Sequence, residues 1–595
     1  MSTDPINLSA PNARTSAVRT LAGPLAVSVL ALVAVLATLD PADYRPGLPP
    51  GPGITLDESF NVQMGVYLVE SLKSYGLGIL DPQSLDEVFG NSAYNPDHPP
   101  LGRLWLGVFH EFSRAVAPVD SGDNPFVTIH ARAGSAFAFA LTIFLIGLFA
   151  ARRWGQLAGA TSAVSLAVMP RLFGHAHLAS LETFMGLTWT VAILGVVHVW
   201  NRQAEPGEGV DAGSRQKASQ QGVPPDDKAA ALCGLLIGLA LLTKMQAILL
   251  PPLVAVWAFW HWRLSALRPL AVSGVTTAVV FVIGWPWLWA DLPGHLTEYF
   301  GRTTGRVSLN VWYLGQVFKD VDAPWHYPWV MTFVTVPGGV LLLAGAGLWG
   351  ARRRLINDPT VSLLAGSVVA PLVLFSLPGV AVYDGARLFL VAFPGIALLA
   401  GFGMLKVRDW LVARKCPHKQ IAGIFLAAQL VGIATTMPYC LSYYNAAVGG
   451  TFGAERLGFE VSYWGDSFSR GFMTKLVDAV PDGAIVQVAP VLHQFQLAEI
   501  ERQVPVLAKG QSPTGRRVRL IAAEQPLAAY RERSLRTGVG NSSAPAEYLA
   551  VFHRLADAPS SKLLEEAGWE LVTAETCQGV VVASLWRRWS RTAAR

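Results

Sequence analysis

The chain has 595 residues, of which 52% are hydrophobic and 15% are charged, and its net charge is +5 at pH 7. A soluble protein usually carries about 25% charged residues, so the deficit is typical of a polytopic membrane protein, since charges are costly in hydrocarbon. The small net charge argues against a nucleic-acid partner. The four cysteines are scattered without a CxxC motif and indicate neither a zinc site nor a disulfide framework.

Apolar segments recur along the first three quarters of the chain, and a membrane helix needs about 20 such residues. Eleven candidates lie at 21–39, 131–150, 155–173, 178–200, 229–243, 246–262, 269–290, 328–350, 360–379, 386–405 and 420–440. The first 20 residues are polar and lack a short apolar core with a cleavage site. The first segment is therefore predicted to be an uncleaved span and not a signal peptide.

Lys and Arg are concentrated in alternate loops between these segments, which fixes a predicted orientation. By the positive-inside rule, the N-terminus and the loop at 201–228 are cytoplasmic and residues 441–595 lie outside. The stretch 203–227 is rich in Gly, Pro, Gln and acids, and is predicted to be a flexible loop. The chain is thus predicted to be a multi-pass protein of a bacterial-type inner membrane.

The last part of the chain differs in pattern from the apolar part. Strand-like runs occur at 484–490, 517–524, 548–553 and 579–586, with helical stretches at 469–480 and 560–568 between them. Strands that alternate with helices indicate a small α/β domain. We therefore predict a helical membrane domain at 1–440, with outside loops at 40–130 and 291–327, and an extracytoplasmic α/β domain at 441–595.

The long outside loop after the first span carries two groups of polar residues. Asp57 and Glu58 are adjacent in "TLDESFNVQMG", and His98 and Arg103 flank the prolines of "NPDHPPLGRLW". Long loops with their own turn chemistry are more often functional than idle. The alternatives are a solvated acid pair and a loop stiffened by proline, with an arginine that snorkels to the membrane surface.

The next outside turn, "MPRLFGHAHLASLETFM", contains Arg171, His175, His177 and Glu182. Glu182 lies about one turn inside an apolar helix, where a charge is expensive and marks a functional candidate. His175 and His177 could ligate a metal, but an HxH pair in a loop is a poor indicator of one. Contact with a headgroup or substrate is the favoured interpretation.

Two isolated cations complete the set. Lys244 in "LLTKMQAILLPP" and Arg387 in "YDGARLFLVAFPG" each lie beside an apolar segment on the outside. Either could snorkel, or could neutralise a phosphate at the membrane surface. Because five outside segments present polar groups at one membrane level, we predict a single site with acids for acid/base chemistry and cations for an anionic headgroup.

These motifs resemble the membrane glycosyltransferases of the GT-C superfamily, and more closely the branch of the protein O-mannosyltransferases and the lipid A aminoarabinose transferase. The matching stretches, in order, are "LDES", "HPPLGRLWLG", "HAHLASLETFM", "LLTKMQAILLPP" and "YDGARLFLVAFPGIALLAG". The resemblance covers roughly residues 20–440, and the order and sidedness of the motifs make it specific.

The resemblance implies an enzyme that moves a sugar from a polyprenyl-phosphate donor to a protein, lipid or glycan acceptor outside the cytoplasm, with inversion. Asp57 would be the general base, Glu58 would assist placement of the acceptor or donor, and Glu182 is the third acid of the catalytic set. The residues implied at the donor phosphate are Lys244, Arg387, His98, Arg103 and Arg171. No cofactor is implied with certainty, and a divalent metal is compatible with the motifs.

A second interpretation is a lipid or solute transporter, or flippase, without transferase activity. Transporters place their polar groups near the bilayer midplane and often contain inverted repeats. Here the polar groups are predicted at one face and no repeat is evident. A scaffold whose tail binds partners is a third interpretation.

Overall fold

The computed structural model of the chain is mainly helical, with strands in two places. It describes residues 13–40, 49–90, 98–119, 124, 126–200, 224–305, 308–491, 495–508, 514–523 and 547–588. The predicted flexible loop at 203–227 lies almost entirely outside the described residues.

The described α-helices are α1 (Ala13–Ala37), α2 (Glu58–Tyr75), α3 (Pro82–Phe89), α4 (Pro100–Val116), α5 (Thr128–Trp154), α6 (Gln156–Ala167), α7 (Pro170–Ala176), α8 (Leu181–Trp200), α9 (Asp227–Leu241), α10 (Leu250–Trp262), α11 (Leu267–Ile283), α12 (Trp287–Ala290), α13 (Leu292–Thr304), α14 (Tyr327–Thr335), α15 (Gly338–Ala351), α16 (Pro359–Leu374), α17 (Phe393–Ala413), α18 (His418–Ala428), α19 (Leu430–Thr436), α20 (Gly450–Arg456), α21 (Arg470–Ala479), α22 (Phe495–Gln503), α23 (Pro505–Ala508) and α24 (Ser561–Glu566). The strands are β1 (Asn310–Tyr313), β2 (Gln316–Lys319), β3 (Ala484–Ala489), β4 (Val518–Ala522), β5 (Tyr548–Phe552), β6 (Trp569–Cys577) and β7 (Val580–Arg588). Short 3₁₀ turns lie at Gly76–Leu80, Met245–Leu249, Arg263–Ala266, Arg387–Ala392, Cys440–Ser442 and Ala446–Val448.

The apolar helices make this chain a multi-pass membrane protein. Among the described residues, six helical stretches are long and apolar enough to cross a membrane, or up to eight if each of two bent pairs is one span. The six are Thr20–Ala37, Thr128–Trp154, Leu181–Trp200, Met245–Ile283, Arg387–Ala413 and His418–Thr436. A helix lies at each of the eleven predicted segments, but the predicted number of eleven spans is not confirmed.

Helix breaks and short helices account for the difference between the eleven predicted spans and the smaller number found among the described residues. The pair α6 and α7 is bent by 68°, and the pair α14 and α15 by 116°. Proline lies at each of these breaks and cannot continue the preceding helix, because it lacks the N–H donor. Helices α9 and α16 have 15 and 16 residues. At 1.5 Å per residue they rise about 22–24 Å, less than the roughly 30 Å hydrocarbon core.

The long loop after the first span is folded into helices α2, α3 and α4. Helices α2 and α4 approach each other closely at Gly65 and Gly107, where a Cβ added to Gly107 would lie 2.1 Å from the carbonyl oxygen of Gly65. Only glycine permits backbones to come this close. The contact fixes the start of α2, which follows Asp57, relative to α4.

The C-terminal part contains a five-stranded sheet with the strand order β4-β3-β5-β7-β6. Strand β3 is parallel to both β4 and β5, whereas β7 is antiparallel to β5 and β6. All four predicted strands are present. The sequence interpretation missed β6 because its residues, "WELVTAETC", include two acids and lack an apolar alternation, as suits an edge strand with few buried positions.

The C-terminal region with this sheet, here called the α/β domain, contacts the two loops that are predicted to lie outside. The backbone N–H of Thr128 donates to Oε1 of Gln503 over 3.0 Å, and Nδ2 of Asn310 donates to Oδ1 of Asp557 over 2.7 Å. The backbone N–H of Gly315 donates to the carbonyl oxygen of Gly458 over 3.0 Å. Both predicted outside loops therefore contact the same C-terminal region.

The predicted orientation has a direct test. Reporter fusions at positions 215 and 540 are expected to report opposite sides, with the first cytoplasmic and the second outside, because Lys and Arg favour the cytoplasmic loops. Alkaline phosphatase and a fluorescent protein that matures only in the cytoplasm would serve as the two reporters. A result that places both positions on one side would contradict the orientation.

Candidate active site

The adjacent acids Asp57 and Glu58 point in different directions. Asp57 is the N-cap residue of α2 and its side chain is 38% exposed, whereas Glu58 is fully buried. Successive residues of a helix are rotated by about 100°, so neighbours at a helix start face different surroundings. Asp57 and Glu58 are adjacent acids in the sequence, but they lie in different surroundings in the structure.

Glu58 joins the first loop to the start of α5 and to the turn before α8. Its Oε1 accepts from Nε of Arg132 over 2.9 Å and from the backbone N–H of Ala179 over 2.6 Å. Its Oε2 accepts from Nη2 of Arg132 over 3.0 Å and from the backbone N–H of Thr55 over 2.8 Å. Both carboxylate oxygens are fully occupied, as expected of a structural ion pair.

Arg387 is the centre of a buried ion-pair network. Its Nη2 contacts the carboxylate of Asp57, its Nε lies 2.8 Å from Oε1 of Glu182, and its Nη1 lies 3.0 Å from Oδ2 of Asp384. The guanidinium carbon also lies 3.8 Å from the ring centroid of Trp464, which stacks on it. Each nitrogen of the guanidinium thus has a carboxylate partner.

Glu182 connects Arg387 to the second predicted cation. Nζ of Lys244 lies 2.7 Å from the same Oε1 that accepts from Arg387. Lys244 has extended backbone dihedrals between α9 and the 3₁₀ turn Met245–Leu249, so its side chain is presented where helix α9 has ended. The structure therefore brings Asp57, Glu182, Lys244 and Arg387 into one chain of contacts.

The α/β domain supplies the next link, which sequence reasoning missed. Arg554, just after β5, is 1% exposed, and its Nη1 lies 2.8 Å from Oδ1 of Asp384. The same guanidinium pairs with Asp557 over 2.8 Å and donates to the carbonyl oxygen of Tyr463 over 2.7 Å. A single carboxylate, Asp384, thus bridges Arg387 of the membrane part and Arg554 of the domain.

Arg103 and His98 lie near this network but make other contacts. Nε of Arg103 donates to Oδ1 of Asn61 over 3.2 Å, and the guanidinium carbon lies 4.9 Å from the ring centroid of Phe60. Burial, with Arg103 and Lys244 nearby, lowers the pKa of His98 well below its usual value. The imidazole of His98 is therefore neutral at pH 7 and adds no positive charge.

Arg171 is buried behind the network. Its Nε donates to the carbonyl oxygen of Tyr443 over 3.2 Å, and its guanidinium carbon lies 4.9 Å and 5.6 Å from the ring centroids of Tyr444 and Tyr463. Its Nη1 and Nη2 have no hydrogen-bond partner among the described residues. Arg171 is thus held by backbone and aromatic faces, without an ion pair to the central carboxylates.

The two histidines considered as metal ligands have separate surroundings. Nε2 of His177 lies 2.7 Å from Oγ1 of Thr38, and its Nδ1 lies 2.7 Å from the carbonyl oxygen of Phe173, so both nitrogens are engaged. The ring of His175 lies 5.4 Å from that of Trp464. The part of the chain that the structure describes contains no group of three or more His, Cys, Asp or Glu residues that could hold a metal ion.

The segment "GFEVSYWGDS" at 458–467, which carries Trp464, holds two more buried acids. Burial raises the pKa of Glu460 to about 8 and that of Asp466 to about 7. Both carboxyl groups therefore hold protons for much of the time near neutral pH.

No protein-family model and no curated protein matches this chain. Among solved structures, it is similar to ArnT from Cupriavidus metallidurans in the apo state, at 14% identity over 96% of this chain and 98% of that one, with a TM-score of 0.45. ArnT bound to undecaprenyl phosphate matches over the same shares with a TM-score of 0.44. The archaeal oligosaccharyltransferase AglB from Archaeoglobus fulgidus, in complex with an inhibitory peptide and a dolichol-phosphate, matches at 12% identity over 89% of this chain and 69% of that one, with a TM-score of 0.45.

Proposed function

We propose that this protein is a glycosyltransferase that moves a sugar from a polyprenyl-phosphate donor to an extracytoplasmic acceptor, with inversion at the anomeric carbon. The single observation that carries the proposal is the contact chain from the partly exposed Asp57 through Arg387 and Glu182 to Lys244. It joins a carboxylate that substrate can reach to two cations beside apolar helices. A sugar linked to a membrane lipid through phosphate needs both kinds of group.

The donor phosphate would bind at Arg387 and Lys244. Arg387 pairs here with Asp57, and the phosphate oxygens would replace Asp57 at Nη2, because a guanidinium binds phosphate as well as carboxylate. This exchange would free Asp57 as the donor binds. Glu182 would stay in place and hold the two cations at a fixed separation.

The transfer itself then has a simple balance of atoms and charges. The acceptor oxygen attacks the anomeric carbon while its proton passes to the carboxylate of Asp57, and the bond from that carbon to the phosphate oxygen breaks. The bonding pair leaves with the phosphate, whose added charge is stabilised by Arg387 and Lys244. Attack opposite to the leaving phosphate inverts the anomeric centre. A base that is correctly placed contributes about 10²–10⁴-fold to such a step.

The other predicted site residues are proposed to position this machinery. Glu58 fixes the start of α2, and therefore Asp57, through its bonds with Arg132. Neutral His98 and buried Arg103 are proposed to contact the donor near Lys244. Arg171 is proposed to act through the segment that carries Tyr463 and Trp464, since it faces the first of these rings.

The location of the network favours a transferase over a transporter. A transporter concentrates its polar groups near the bilayer midplane. Here Asp384 is shared between Arg387 and Arg554, and Arg554 belongs to the α/β domain, so the network lies at the face that carries the domain. A site at that face suits an acceptor that is soluble or that protrudes from the membrane.

Mass spectrometry of lipid-linked sugars and of envelope glycans, in cells with and without the gene, tests the proposed function. We expect loss of the gene to increase one polyprenyl-phosphate sugar and to remove one sugar from an acceptor outside the cytoplasm. Altered sidedness of an otherwise unchanged lipid pool would instead favour the transporter. An unchanged lipid pool together with unchanged glycans would contradict both functions.

Removal of the Lys244 charge should weaken binding of the lipid phosphate. A hydrogen bond to a charged group contributes about 1.5–3 kcal/mol, so we expect Lys244→Met to lower the affinity for undecaprenyl phosphate by about 10- to 100-fold. Native mass spectrometry of the purified protein, titrated with undecaprenyl phosphate, measures this change.

Two further variants serve as controls for the Lys244 result. Lys244→Met alone leaves the Glu182 carboxylate with only Arg387 as a buried partner, which could disturb the fold. The double variant Lys244→Met/Glu182→Gln removes that excess negative charge, so a loss of lipid affinity that persists in it is due to the missing lysine. Lys73→Gln removes an exposed lysine that pairs with Glu70 and Glu111, and should bind the lipid like the wild type. Wild-type affinity in both Lys244 variants would show that this residue does not hold the phosphate.

A further inference from the structure

A cleft of about 560 Å³ lies between the ends of α15 and α17. Two tryptophans, two cations and two aliphatic residues form its walls: Trp349, Trp410, Arg352, Lys406, Ala346 and Val407. Trp349 is 70% exposed and Trp410 is 52% exposed. Large aromatic rings this exposed at the end of apolar helices are typical of the level of lipid headgroups.

The cleft lies on the membrane face opposite the candidate active site. Helix α15 begins at Gly338, close to Asn445, whose Nδ2 donates to the carbonyl oxygen of Val336 over 2.9 Å. Asn445 follows Tyr443, the backbone partner of Arg171 behind the site. The 14 residues of α15 then carry the chain about 21 Å away, to the end where Trp349 and Arg352 lie.

Packing holds the two cations of the cleft in place and leaves their charges available to a ligand. The Lys406 side chain crosses Gly350, where an added Cβ would lie 2.9 Å from Cγ of the lysine. Its ammonium has no hydrogen-bond or ion-pair partner among the described residues and lies 5.9 Å from the ring centroid of Phe402. The guanidinium carbon of Arg352 lies 4.4 Å from the ring centroid of Trp349. Stacking of this kind fixes the direction of the guanidinium and leaves it positively charged.

The chemistry along the cleft changes from apolar to basic. Ala346 lies six residues before Arg352, on the membrane-spanning side of that cation, and no carboxylate lines the cleft. The acid next to it in sequence, Asp409, is already paired with Arg408 over 2.6 Å. A ligand that fits this gradient has a hydrocarbon end and an anionic end.

We propose that this cleft binds an anionic phospholipid of the leaflet opposite the active site. The lipid phosphate would lie between Lys406 and Arg352, one acyl chain would follow Ala346, and the two indole rings would flank the headgroup and the glycerol. Basic clefts between membrane helices on the positively charged side are suited to anionic headgroups. A free phosphate ion would share the cation contacts but would leave the apolar wall and the exposed rings uncovered.

Quenching of tryptophan fluorescence by brominated lipids tests the proposal without any assay of transfer. The protein would be placed in nanodiscs of phosphatidylcholine that contain a small fraction of acyl-brominated phosphatidylglycerol, or of equally brominated phosphatidylcholine. The protein has 19 tryptophans, so the fluorescence of the two cleft tryptophans is obtained as the difference between the wild type and the Trp349→Phe/Trp410→Phe variant. We expect this part to be quenched at a lower fraction of phosphatidylglycerol than of phosphatidylcholine.

Charge variants separate specific binding from general membrane contact. Each basic residue near an anionic membrane surface contributes about fivefold to lipid affinity, so Lys406→Gln/Arg352→Gln should reduce the preference for phosphatidylglycerol by about 25-fold. Arg263→Gln is the matched control, because Arg263 also stacks on an exposed tryptophan, Trp260, but lies outside the cleft. Its preference should equal that of the wild type.

Three results would overturn the lipid site. Equal quenching by the two brominated lipids, or an unchanged preference in the double variant, would show that the cleft does not select an anionic lipid. Inorganic phosphate at millimolar concentration should not release the lipid, since it cannot cover the apolar wall. Full competition by inorganic phosphate would identify a free anion as the ligand.

Discussion

Asp57→Asn is expected to lower the rate of sugar transfer by about 10²–10⁴-fold while the protein stays folded and still binds the lipid donor. Asparagine keeps the shape of the side chain and can accept a hydrogen bond from Arg387, but it cannot take a proton from the acceptor hydroxyl at neutral pH. The expected factor is that of a positioned general base. The measurement is single-turnover transfer by purified protein in lipid, with the radiolabelled polyprenyl-phosphate sugar that the mass spectrometry identifies.

The adjacent acid provides the contrast for this experiment. Glu58→Gln leaves the buried charge of Arg132 without a full ion-pair partner, and breaking such a pair costs about 3–5 kcal/mol of stability. We therefore expect Glu58→Gln to lower the melting temperature more than Asp57→Asn does. Transfer by Asp57→Asn at the wild-type rate would show that Asp57 is not the base, whatever the behaviour of Glu58.

Arg554→Gln is expected to lower both the stability of the protein and the rate of transfer, although Arg554 lies in the α/β domain. Its guanidinium is buried with the carboxylates of Asp384 and Asp557. Removing one partner from a buried pair costs about 3–5 kcal/mol, so the melting temperature should fall by several degrees. The freed Asp384 would draw Arg387 away from the position that suits the donor phosphate, and we expect at least about a tenfold loss of kcat.

A double-mutant cycle shows whether Arg554 acts through Asp384. If it does, Arg554→Gln should have little further effect on kcat in an Asp384→Asn background, because directly coupled residues are not additive. Arg470→Gln is the matched control, since Arg470 precedes the sheet and pairs with Asp40 of the first loop over 3.4 Å without contact to the network. It should lower stability and leave kcat unchanged. Independent effects of Arg554→Gln and Asp384→Asn on kcat would contradict the link.

The sequence alone indicated where the chemistry of this chain is concentrated, but not how its groups are connected. Glu182, Lys244 and Arg387 stood out because a single charge beside an apolar run is costly and therefore conspicuous. Asp384 lies three residues before Arg387 in the same "YDGARLF" motif, and this position could have identified it as a further carboxylate of the site. Arg554 gave no such signal, because a charged residue after a strand of a polar domain is common.

Hydrophobicity and charge are properties of each residue in its local stretch, so the sequence by itself determined the membrane class, the C-terminal strands and the loops that carry polar groups. The tertiary structure decided what depends on residues far apart in the chain. It set the helix breaks that leave six to eight spans among the described residues, the separation of Asp57 from Glu58, and the meeting of Arg387 with Arg554 at Asp384. The physical reason is that an ion pair acts over only a few ångströms. Helix packing and the position of the α/β domain decide which charges come within that range. Neither can be predicted from a single segment of the sequence.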